Sequence, residues 1–273
     1  MKQAVILAAG EGQRLRPFTV TKPKAMLAVA GKPILQYVVE ALAQNGIRQI
    51  VIVVGYKREQ VFDYMGDGER FGVDITYVTQ ENQLGTAHAL LQVKDAVESE
   101  FLVLPGDNLI EAYTIARFVV MKPNAVLLKK VSNTARYGVV TTDDDDMVKD
   151  IMEKPREAKG NLINTSIYVF SREVFGFIDN EVDIPDVINK MLAQGCAISA
   201  RETDGSWLDV VYPWDILSLT DAVLSRISPS LGGSIETGAY VKGMVSIGPD
   251  TVIRSGSYII GTAGPFFAVY WTI

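Results

Sequence analysis

The sequence predicts an α/β fold with a mostly parallel sheet, because short apolar runs alternate with helical patterns through its first half. Short apolar runs bounded by turn residues are typical of buried strands, and their alternation with helices is typical of parallel sheets. The predicted strands are Ala4–Ala8, Ile50–Val54, Ile75–Val78 and Phe101–Leu104. The predicted helices are one that begins at Pro33 and stops at Gly46, followed by Lys57–Met65, Thr86–Val97 and Glu111–Val120.

The first of these helices has clear signals at both ends. Pro33 suits the first helical position, the apolar residues of 34–42 share one face, and Gly46 is typical of a helix stop. Strands that alternate with helices are joined by right-handed crossovers, and ligands bind beyond the carboxyl ends of such strands. The segments just past the predicted strands, where we expect the functional site, are residues 9–24, 79–86 and 105–108.

The middle of the chain predicts antiparallel strands over residues 125–131, 137–142 and 147–151. The four consecutive aspartates Asp143–Asp146 are expected to form a turn rather than a metal site, because adjacent side chains on a turn diverge and face water. A further strand and two helices are predicted over Asn161–Phe170, Pro185–Ala193 and Pro213–Arg226.

The end of the chain carries a six-residue repeat. Aliphatic residues recur at every sixth position from 235 to 259, with small and polar residues between them. This spacing is typical of a β-helix, in which inward aliphatic positions stack from coil to coil. We therefore predict an α/β domain over residues 1–227 and a short left-handed β-helix stub over residues 228–273. The uncharged segment 265–273 is expected to make a homo-oligomer contact, with a truncated reading frame as the alternative. The repeat positions are Ile235, Val241, Ile247, Ile253 and Ile259.

Composition excludes several classes of protein. With 26 basic and 32 acidic residues the formal net charge is −6, which disfavours a nucleic-acid or membrane-surface binder. A single cysteine, Cys196, forms no internal disulfide, and a single histidine, His88, builds no histidine-rich metal site. No apolar run reaches the ~20 residues of a membrane span. These features favour a cytoplasmic protein.

The loop after the first predicted strand is the most informative segment. Gly10 and Gly12 allow a sharp turn with backbone amides close to an anion, and Arg14 and Lys24 add positive charge. A dinucleotide fold requires a third glycine where Leu15 stands, and a P-loop requires Gly-Lys-Ser/Thr, which is absent. An exposed turn with scattered cations is the simpler alternative. The position directly after a buried first strand favours phosphate binding.

The segment Gly10-Glu-Gly-Gln-Arg-Leu-Arg-Pro17, followed by Lys22-Pro-Lys24, resembles the signature of the sugar-1-phosphate nucleotidylyltransferases. These enzymes join a nucleoside triphosphate to a sugar 1-phosphate and release pyrophosphate. The resemblance implies a Rossmann-like sheet of the nucleotide-diphospho-sugar transferase type. It also implies that Ala9, Gly10 and Gly12 bind the nucleotide, that Arg14 holds the triphosphate, and that Lys24 grips the phosphate under attack. Gln13 departs from the family, which usually carries Thr or Ser there.

The segment Gln80-Glu-Asn-Gln-Leu-Gly-Thr-Ala-His88 resembles the base-recognition loop of this family, with Gln80, Gly85 and Thr86 as nucleotide-binding residues. The Gln80 amide offers one acceptor and one donor group, which match the N3–H and a carbonyl of uracil or thymine. Guanine presents a different edge. His88 is expected to be a structural residue of the following helix.

Two aspartates match the metal positions of the family, and Mg²⁺ is the implied cofactor. Asp107 ends a buried strand, and Asp209 lies in Trp207-Leu-Asp-Val-Val211. Mg²⁺ prefers a few carboxylates together with phosphate oxygens and water. Val211 stands where the family often has glycine.

Three further segments resemble the sugar-binding segments of the family. They are Tyr137-Gly138, Glu153-Lys-Pro155 and Asn164-Thr-Ser166. By this resemblance Gly138, Glu153 and Asn164 bind the sugar, Glu153 accepting hydrogen bonds from its hydroxyls. Lys154 neutralises the phosphate of the sugar. Ser166 replaces the usual glycine.

These motifs together predict a uridylyl- or thymidylyltransferase acting on a sugar 1-phosphate, with glucose 1-phosphate favoured. N-acetylglucosamine 1-phosphate is the alternative substrate. A non-catalytic regulatory or scaffolding relative is the alternative from another class. Such a relative is expected to lose the loop arginine, the lysines or the aspartates, all of which this chain keeps.

Overall fold

A computed structural model of the chain describes residues 1–155, 160–226 and 228–261. It contains two compact units. The first comprises Met1–Ala28 and Lys32–Val211, and the second comprises Val29–Gly31 with Tyr212 and the described residues that follow. The domain boundary predicted between residues 227 and 228 falls at Ile227, which lies outside the described residues, and it stays a prediction.

The predicted helices and strands occur in the predicted order, with bounds that differ by a few residues, and five strands that were not predicted are also present. The strands up to Asp209 are β1 (Gln3–Leu7), β2 (Ala28–Val29), β3 (Lys32–Pro33), β4 (Gln49–Val54), β5 (Asp74–Thr79), β6 (Glu100–Pro105), β7 (Asn108–Ile110), β8 (Ala125–Lys130), β9 (Gly138–Thr142), β10 (Val148–Glu153), β11 (Leu162–Ser171), β12 (Ser199–Thr203) and β13 (Trp207–Asp209). The helices are α1 (Ile34–Gln44), α2 (Arg58–Met65), α3 (Thr86–Leu91), α4 (Ala112–Phe118), α5 (Ile184–Ala193) and α6 (Asp215–Leu224).

Nine of these strands form one sheet, whose main path runs β10-β9-β11-β6-β1-β4-β5. The strands β6, β1, β4 and β5 are parallel neighbours, with Val5 opposite both Val51 and Val103. Beyond β6 the pairing becomes antiparallel through β11, which also pairs with β8. The predicted α/β fold with a parallel sheet is therefore confirmed for strands β6, β1, β4 and β5, which precede the predicted nucleotide-binding loops.

The two faces of the sheet are covered by different helices, and the alternation of side chains along β1 shows this division. Ala4 and Ile6 lie in one apolar cluster together with Leu35 of α1. Val5 lies in the opposite cluster together with Val187 of α5. Because successive strand residues face opposite ways, a strand buried on both sides is apolar throughout. This double burial fixes the carboxyl ends of the strands as a rigid platform.

The second unit contains α6 and short strands. These are β14 (Ser230–Leu231), β15 (Ser234–Ile235), β16 (Tyr240–Gly243), β17 (Ser246–Ile247), β18 (Val252–Ile253) and β19 (Tyr258–Gly261). They pair in parallel as three separate two-stranded sheets, so the expected left-handed β-helix stub is not confirmed. The segment 265–273, expected to make a subunit contact, lies outside the described residues. None of the helices described is long and apolar enough to cross a membrane.

Candidate active site

The loops that follow β1, β4, β5 and β6 meet at one edge of the parallel sheet. The Tyr56 amide donates to the Ala9 carbonyl at 3.3 Å, which ties the loop after β4 to the loop after β1. The Gly106 amide donates to Leu7 at 2.9 Å, and the Gln80 amide donates to the carbonyl of Val54 at 2.8 Å. The structure thus brings the predicted nucleotide loop, base loop and first aspartate to the same edge.

The glycine loop after β1 folds back on itself. Gly12 has a φ of +65°, and a Cβ there would lie 3.0 Å from the Lys24 Cβ and 3.0 Å from the Thr19 Cγ2. The Thr19 hydroxyl donates to the Gly12 carbonyl at 2.8 Å, and Leu15 anchors the loop in the core. Arg14 is exposed and has no hydrogen bond or ion pair with any residue that the structure describes.

Gly10, the other glycine of the motif, is exposed, and a Cβ there would have no atom within 4 Å. Its backbone amide lies on an open surface beside the buried Ala9. The conformational need for glycine therefore rests on Gly12, while Gly10 leaves open space at the backbone. Open backbone is what a phosphate group requires for close approach.

Lys24 forms an ion pair with Asp107, so the loop lysine and the first predicted metal carboxylate lie in contact. The two side chains are 21% and 23% exposed, which partly removes them from solvent screening. The contact joins two motifs that are separated by more than eighty residues. A group that carries several phosphate oxygens could be bound by the ammonium and by a cation held on the carboxylate.

The first predicted metal carboxylate, Asp107, directly precedes β7, and the second, Asp209, is the last residue of the neighbouring strand β13. β7 and β13 are antiparallel, and Asp209 is directly opposite Asn108. With its amide turned so that both polar atoms are satisfied, Asn108 donates to Asp107 Oδ1 at 3.0 Å and accepts from Trp207 Nε1 at 3.0 Å. The Tyr137 hydroxyl donates to Asp209 Oδ1 at 2.8 Å. Each carboxylate is thus held in place by a neighbouring polar side chain.

Burial raises the pKa of the Asp209 carboxyl above its ordinary value, and the nearby charge of Asp107 adds to the rise. The hydrogen bond from Tyr137 and the charges of Arg136 and Lys24 act in the opposite direction. Two neighbouring carboxylates, one of them disfavoured in its charged form, fit a divalent cation. The described part of the chain brings no group of three or more metal-ligating side chains together. Phosphate oxygens and water would have to complete the coordination of a cation here.

The base loop is held by hydrogen bonds from Gln80, which is buried at 3% exposure. Gln80 Nε2 donates to the Gly85 carbonyl at 3.1 Å and lies 2.9 Å from His88 Nδ1 on α3. The carbonyl can only accept, so the orientation of the amide is fixed. Both hydrogens of the amide point into the protein. This arrangement differs from the expectation that Gln80 also donates to the base, because only its oxygen is left for a ligand.

The other side of the base loop is fixed by the segment before α5, which sequence reasoning missed. The Thr86 amide and hydroxyl both contact Asp183 Oδ1, at 3.1 and 3.0 Å. Gly85 has a φ of +110°, and any Cβ there would collide with the Val182 carbonyl oxygen. No local signal connects Gly85 and Thr86 with residues almost a hundred positions later, so these partners could not be found from the motif.

The predicted sugar-binding residues lie on the antiparallel strands. Gly138 of β9 is opposite Glu153 of β10, and a Cβ at Gly138 would lie 2.8 Å from Glu153 Oε2. Lys154 Nζ lies 2.9 Å from Glu153 Oε1. The Lys154 amide donates to the Tyr137 carbonyl at 3.2 Å. Since the hydroxyl of Tyr137 binds Asp209, this residue connects the sugar-type motif with the carboxylate pair.

Asn164 is buried at 6% exposure, and the protein already engages both atoms of its amide. Its nitrogen donates to the Tyr168 hydroxyl at 2.7 Å, and its oxygen accepts from the Ser166 amide at 3.0 Å. Burial raises the pKa of Tyr168, so its hydroxyl stays protonated. Ser166 has a φ of +62° at a register shift between β11 and β8, a conformation that favours the glycine usual in the family.

Comparisons with known proteins agree with this geometry. The chain matches the nucleotidyl transferase family over residues 3–226. It is 36% identical over 263 residues to the bifunctional protein GlmU of Methanococcus maripaludis, and the match covers 93% of this chain and 62% of that protein. It is 38% identical over 226 residues to the UTP–glucose-1-phosphate uridylyltransferase AglF of Haloferax volcanii, and the match covers 78% of this chain and 93% of that protein.

A crystal structure of a Bacillus anthracis protein, assigned as a glucose-1-phosphate thymidylyltransferase and solved with a sucrose, has the same fold. It superposes with a TM-score of 0.75 at 30% identity and covers 84% of this chain and 97% of that one. The chain spans about three fifths of the length of the GlmU relatives it matches. The family match spans the sheet and every predicted site residue. The chain therefore belongs to the nucleotidyl transferase family, which confirms its resemblance to the sugar-1-phosphate nucleotidylyltransferases.

Proposed function

We propose that this chain transfers a nucleotidyl group from UTP or dTTP to glucose 1-phosphate and releases pyrophosphate. The observation that carries the proposal is the contact between Lys24 and Asp107, beside Asp209. It places the cationic glycine loop against two carboxylates at the edge of the sheet where α/β proteins bind ligands. A solvated turn with scattered cations would not need this arrangement.

The reaction needs no covalent intermediate and no general base, because a sugar phosphate is already ionised near neutral pH. Two polyanions have to be held in line, and the charge that develops on the departing pyrophosphate has to be stabilised. Arg14, which is exposed on the glycine loop, would hold the triphosphate. Lys24 would bind the phosphate under attack, and Lys154 the attacking phosphate. Lys154 is supported by Glu153 at 2.9 Å, which orients its ammonium group.

Asp107 and Asp209 are the residues that would hold Mg²⁺. When bound, the ion would neutralise phosphate oxygens and help to align them. Burial raises the pKa of Asp209, and the hydrogen bond from Tyr137 only opposes this rise. The charged carboxylate is therefore costly in the protein alone, and a bound cation would offset that cost, which supports the assignment. Asn108 and Tyr137 would keep the two carboxylates in place through the hydrogen bonds described above.

The hydrogen-bonding groups of the base loop favour uracil or thymine as the base of the nucleotide. Gln80 Oε1 offers an acceptor, and the Gly85 amide has no hydrogen-bond partner in the described part of the chain. An acceptor beside a donor complements the N3–H and a carbonyl of these two bases. Cytosine carries an acceptor at N3 and would meet the Gln80 oxygen with another acceptor.

The choice of glucose 1-phosphate rests on relatives that cover the catalytic region. The AglF relative is a UTP–glucose-1-phosphate uridylyltransferase, and the Bacillus anthracis structure is assigned as a glucose-1-phosphate thymidylyltransferase. N-acetylglucosamine 1-phosphate remains the alternative acceptor, with Asn164 as the residue beside its N-acetyl group.

We also propose that residues 228–261 form the beginning of a left-handed β-helix that mediates self-association. Ser234 pairs with Val252, and Val241 pairs with Ile259, each three hexads further along the chain. Ile247, another position of the repeat, is buried at 5% exposure. Light scattering over a range of protein concentrations tests the association. A monomer throughout that range would contradict it.

The activity is tested by measuring pyrophosphate release with every pairing of UTP, dTTP, CTP, GTP and ATP with glucose 1-phosphate or N-acetylglucosamine 1-phosphate. We expect turnover with UTP or dTTP only, dependent on Mg²⁺, and fastest with glucose 1-phosphate. Turnover of N-acetylglucosamine 1-phosphate in preference would establish the alternative acceptor. The absence of turnover in every pairing would favour a regulatory or scaffolding relative.

A further inference from the structure

The chain has one histidine, and the proposed reaction does not use it. His88 lies on the first turn of α3 and is half-buried, with its Nδ1 2.9 Å from Gln80 Nε2. The other hydrogen of the same amide goes to the Gly85 carbonyl at 3.1 Å. A side-chain amide has two hydrogens, and these contacts use both. The imidazole is therefore one of two acceptors that determine which atom of Gln80 a ligand meets.

The donor at Gln80 also determines the tautomer of His88. Because Gln80 Nε2 donates, Nδ1 has to accept, and the proton of the neutral ring is on Nε2. His88 Nε2 lies 3.2 Å from the side-chain nitrogen of Gln92, which directly follows α3. The Gln92 nitrogen also donates to the His88 carbonyl at 3.2 Å. For the Nε2 proton to be accepted, the Gln92 amide has to turn its oxygen towards the imidazole and give up its bond to the His88 carbonyl.

We infer that His88 is a positioning residue that sets base preference by holding the Gln80 oxygen towards the base. This inference rests on the proposed function. A reversed Gln80 amide would place its oxygen against the Gly85 carbonyl, which can only accept, and would pair with Nδ1 only if the imidazole moved its proton there. The facing acceptors and the change of tautomer both disfavour the reversed amide. A Gln80 side chain that presents only its oxygen to the ligand selects uracil or thymine, which carry a hydrogen at N3, over cytosine, which does not.

Removal of the imidazole is expected to relax this selection. In His88→Ala, Gln80 keeps only the Gly85 carbonyl as an acceptor, and its amide can reverse at a lower cost. The loss of one neutral hydrogen bond corresponds to a change of roughly 3- to 10-fold. We therefore expect kcat/KM for UTP to fall by about 3- to 10-fold, and the preference for UTP over CTP to fall at least as much. The KM for the sugar phosphate should not change.

His88→Asn is the matched rescue variant, because asparagine can place its side-chain oxygen near the position of the imidazole Nδ1. We expect it to recover most of the preference for UTP. An Asn variant as impaired as the Ala variant would overturn the acceptor role. If His88→Ala fails to fold, His88→Gln replaces it. The glutamine oxygen lies one bond further from the helix than the asparagine oxygen, so it does not occupy the position of the imidazole Nδ1. An active Ala or Gln variant with an unchanged UTP/CTP ratio would also overturn the inference.

Imidazole ¹⁵N NMR provides a test that does not depend on activity. With one histidine in the chain, the spectrum contains a single pair of ring nitrogens. We expect the neutral ring to carry its proton on Nε2 in the protein without nucleotide. A neutral ring protonated on Nδ1 would overturn the inference while leaving the proposed function intact. If the NMR result is as expected but the wild type turns over no nucleotide, the proposed function fails, and the role in base preference fails with it.

Discussion

Gly138→Ala tests whether the strand pair β9–β10 positions the sugar-binding groups. The added Cβ would lie 2.8 Å from Glu153 Oε2, whereas ordinary contacts begin at 3.4 Å. The carboxylate would have to move by roughly 0.6 Å, and a misplacement of about 1 Å can cost up to ~100-fold in rate. Ile151 Cγ2 and Asn164 Cβ, at 3.5 and 3.7 Å from the same Cβ, limit the directions in which space can be made.

We therefore expect kcat/KM for the sugar phosphate to fall about 10-fold in Gly138→Ala, with little change in the KM for the nucleotide. Gly138 does not have a positive φ, so alanine adopts its backbone conformation without strain and folding stability should not fall. Gly176→Ala is the matched control, because a Cβ there has no atom within 4 Å. Steady-state pyrophosphate release with each substrate varied in turn measures these constants. An unchanged kcat/KM for the sugar phosphate would refute the positioning role of Glu153.

Three further substitutions test the charged groups of the site. Arg14→Ala should lower kcat by ~10²–10³ with an unchanged melting temperature, as expected for one preorganised donor, and near-normal turnover would remove it from the triphosphate site. Asp107→Asn should abolish Mg²⁺-dependent pyrophosphate release, and retained activity would exclude it as a metal ligand. The raised pKa of Asp209 means that the folded state binds its proton more tightly than the unfolded state, so stability is lost as pH rises through that pKa. Asp209→Asn should therefore raise the melting temperature of the metal-free protein at neutral pH, with a gain that shrinks towards pH ~4, and should abolish activity. A lower melting temperature at neutral pH would contradict this reasoning.

Sequence patterns that lie within a single helix or strand predicted most of the secondary structure of the first unit. The helix signals at residues 33–46 correspond to α1, and the apolar runs correspond to the central parallel strands. β12 was missed because exposed Arg201 and Glu202 interrupt its apolar pattern at the edge of the sheet. α3 ends at Leu91 rather than continuing to Val97, and a distant residue stabilises the turns that follow. Gln3 donates to the Ala96 carbonyl at 3.0 Å and accepts from the Glu98 amide at 2.7 Å.

The candidate site was predictable in its residue types but not in its internal contacts. The family motifs predict site roles for Asp107, Gln80 and Glu153, because each lies in a short characteristic segment. The motifs did not show that Asp183 anchors the base loop or that Tyr137 binds Asp209, since these partners are 97 and 72 residues apart in sequence. Such contacts depend on how the strands are ordered in the sheet. They therefore follow from the tertiary structure and from no local pattern.

The contacts around the carboxylates also connect the two halves of the site. Lys24 contacts Asp107, which accepts a hydrogen bond from Asn108, and Asn108 lies opposite Asp209 on the neighbouring strand. Asp209 in turn binds Tyr137, whose carbonyl accepts the amide of the sugar-side lysine. The nucleotide loop and the sugar-type strand pair are thus joined through groups that each have a fixed partner. Because an in-line transfer requires two phosphates to be aligned within a fraction of an ångström, this connection can maintain the alignment that either loop alone could not.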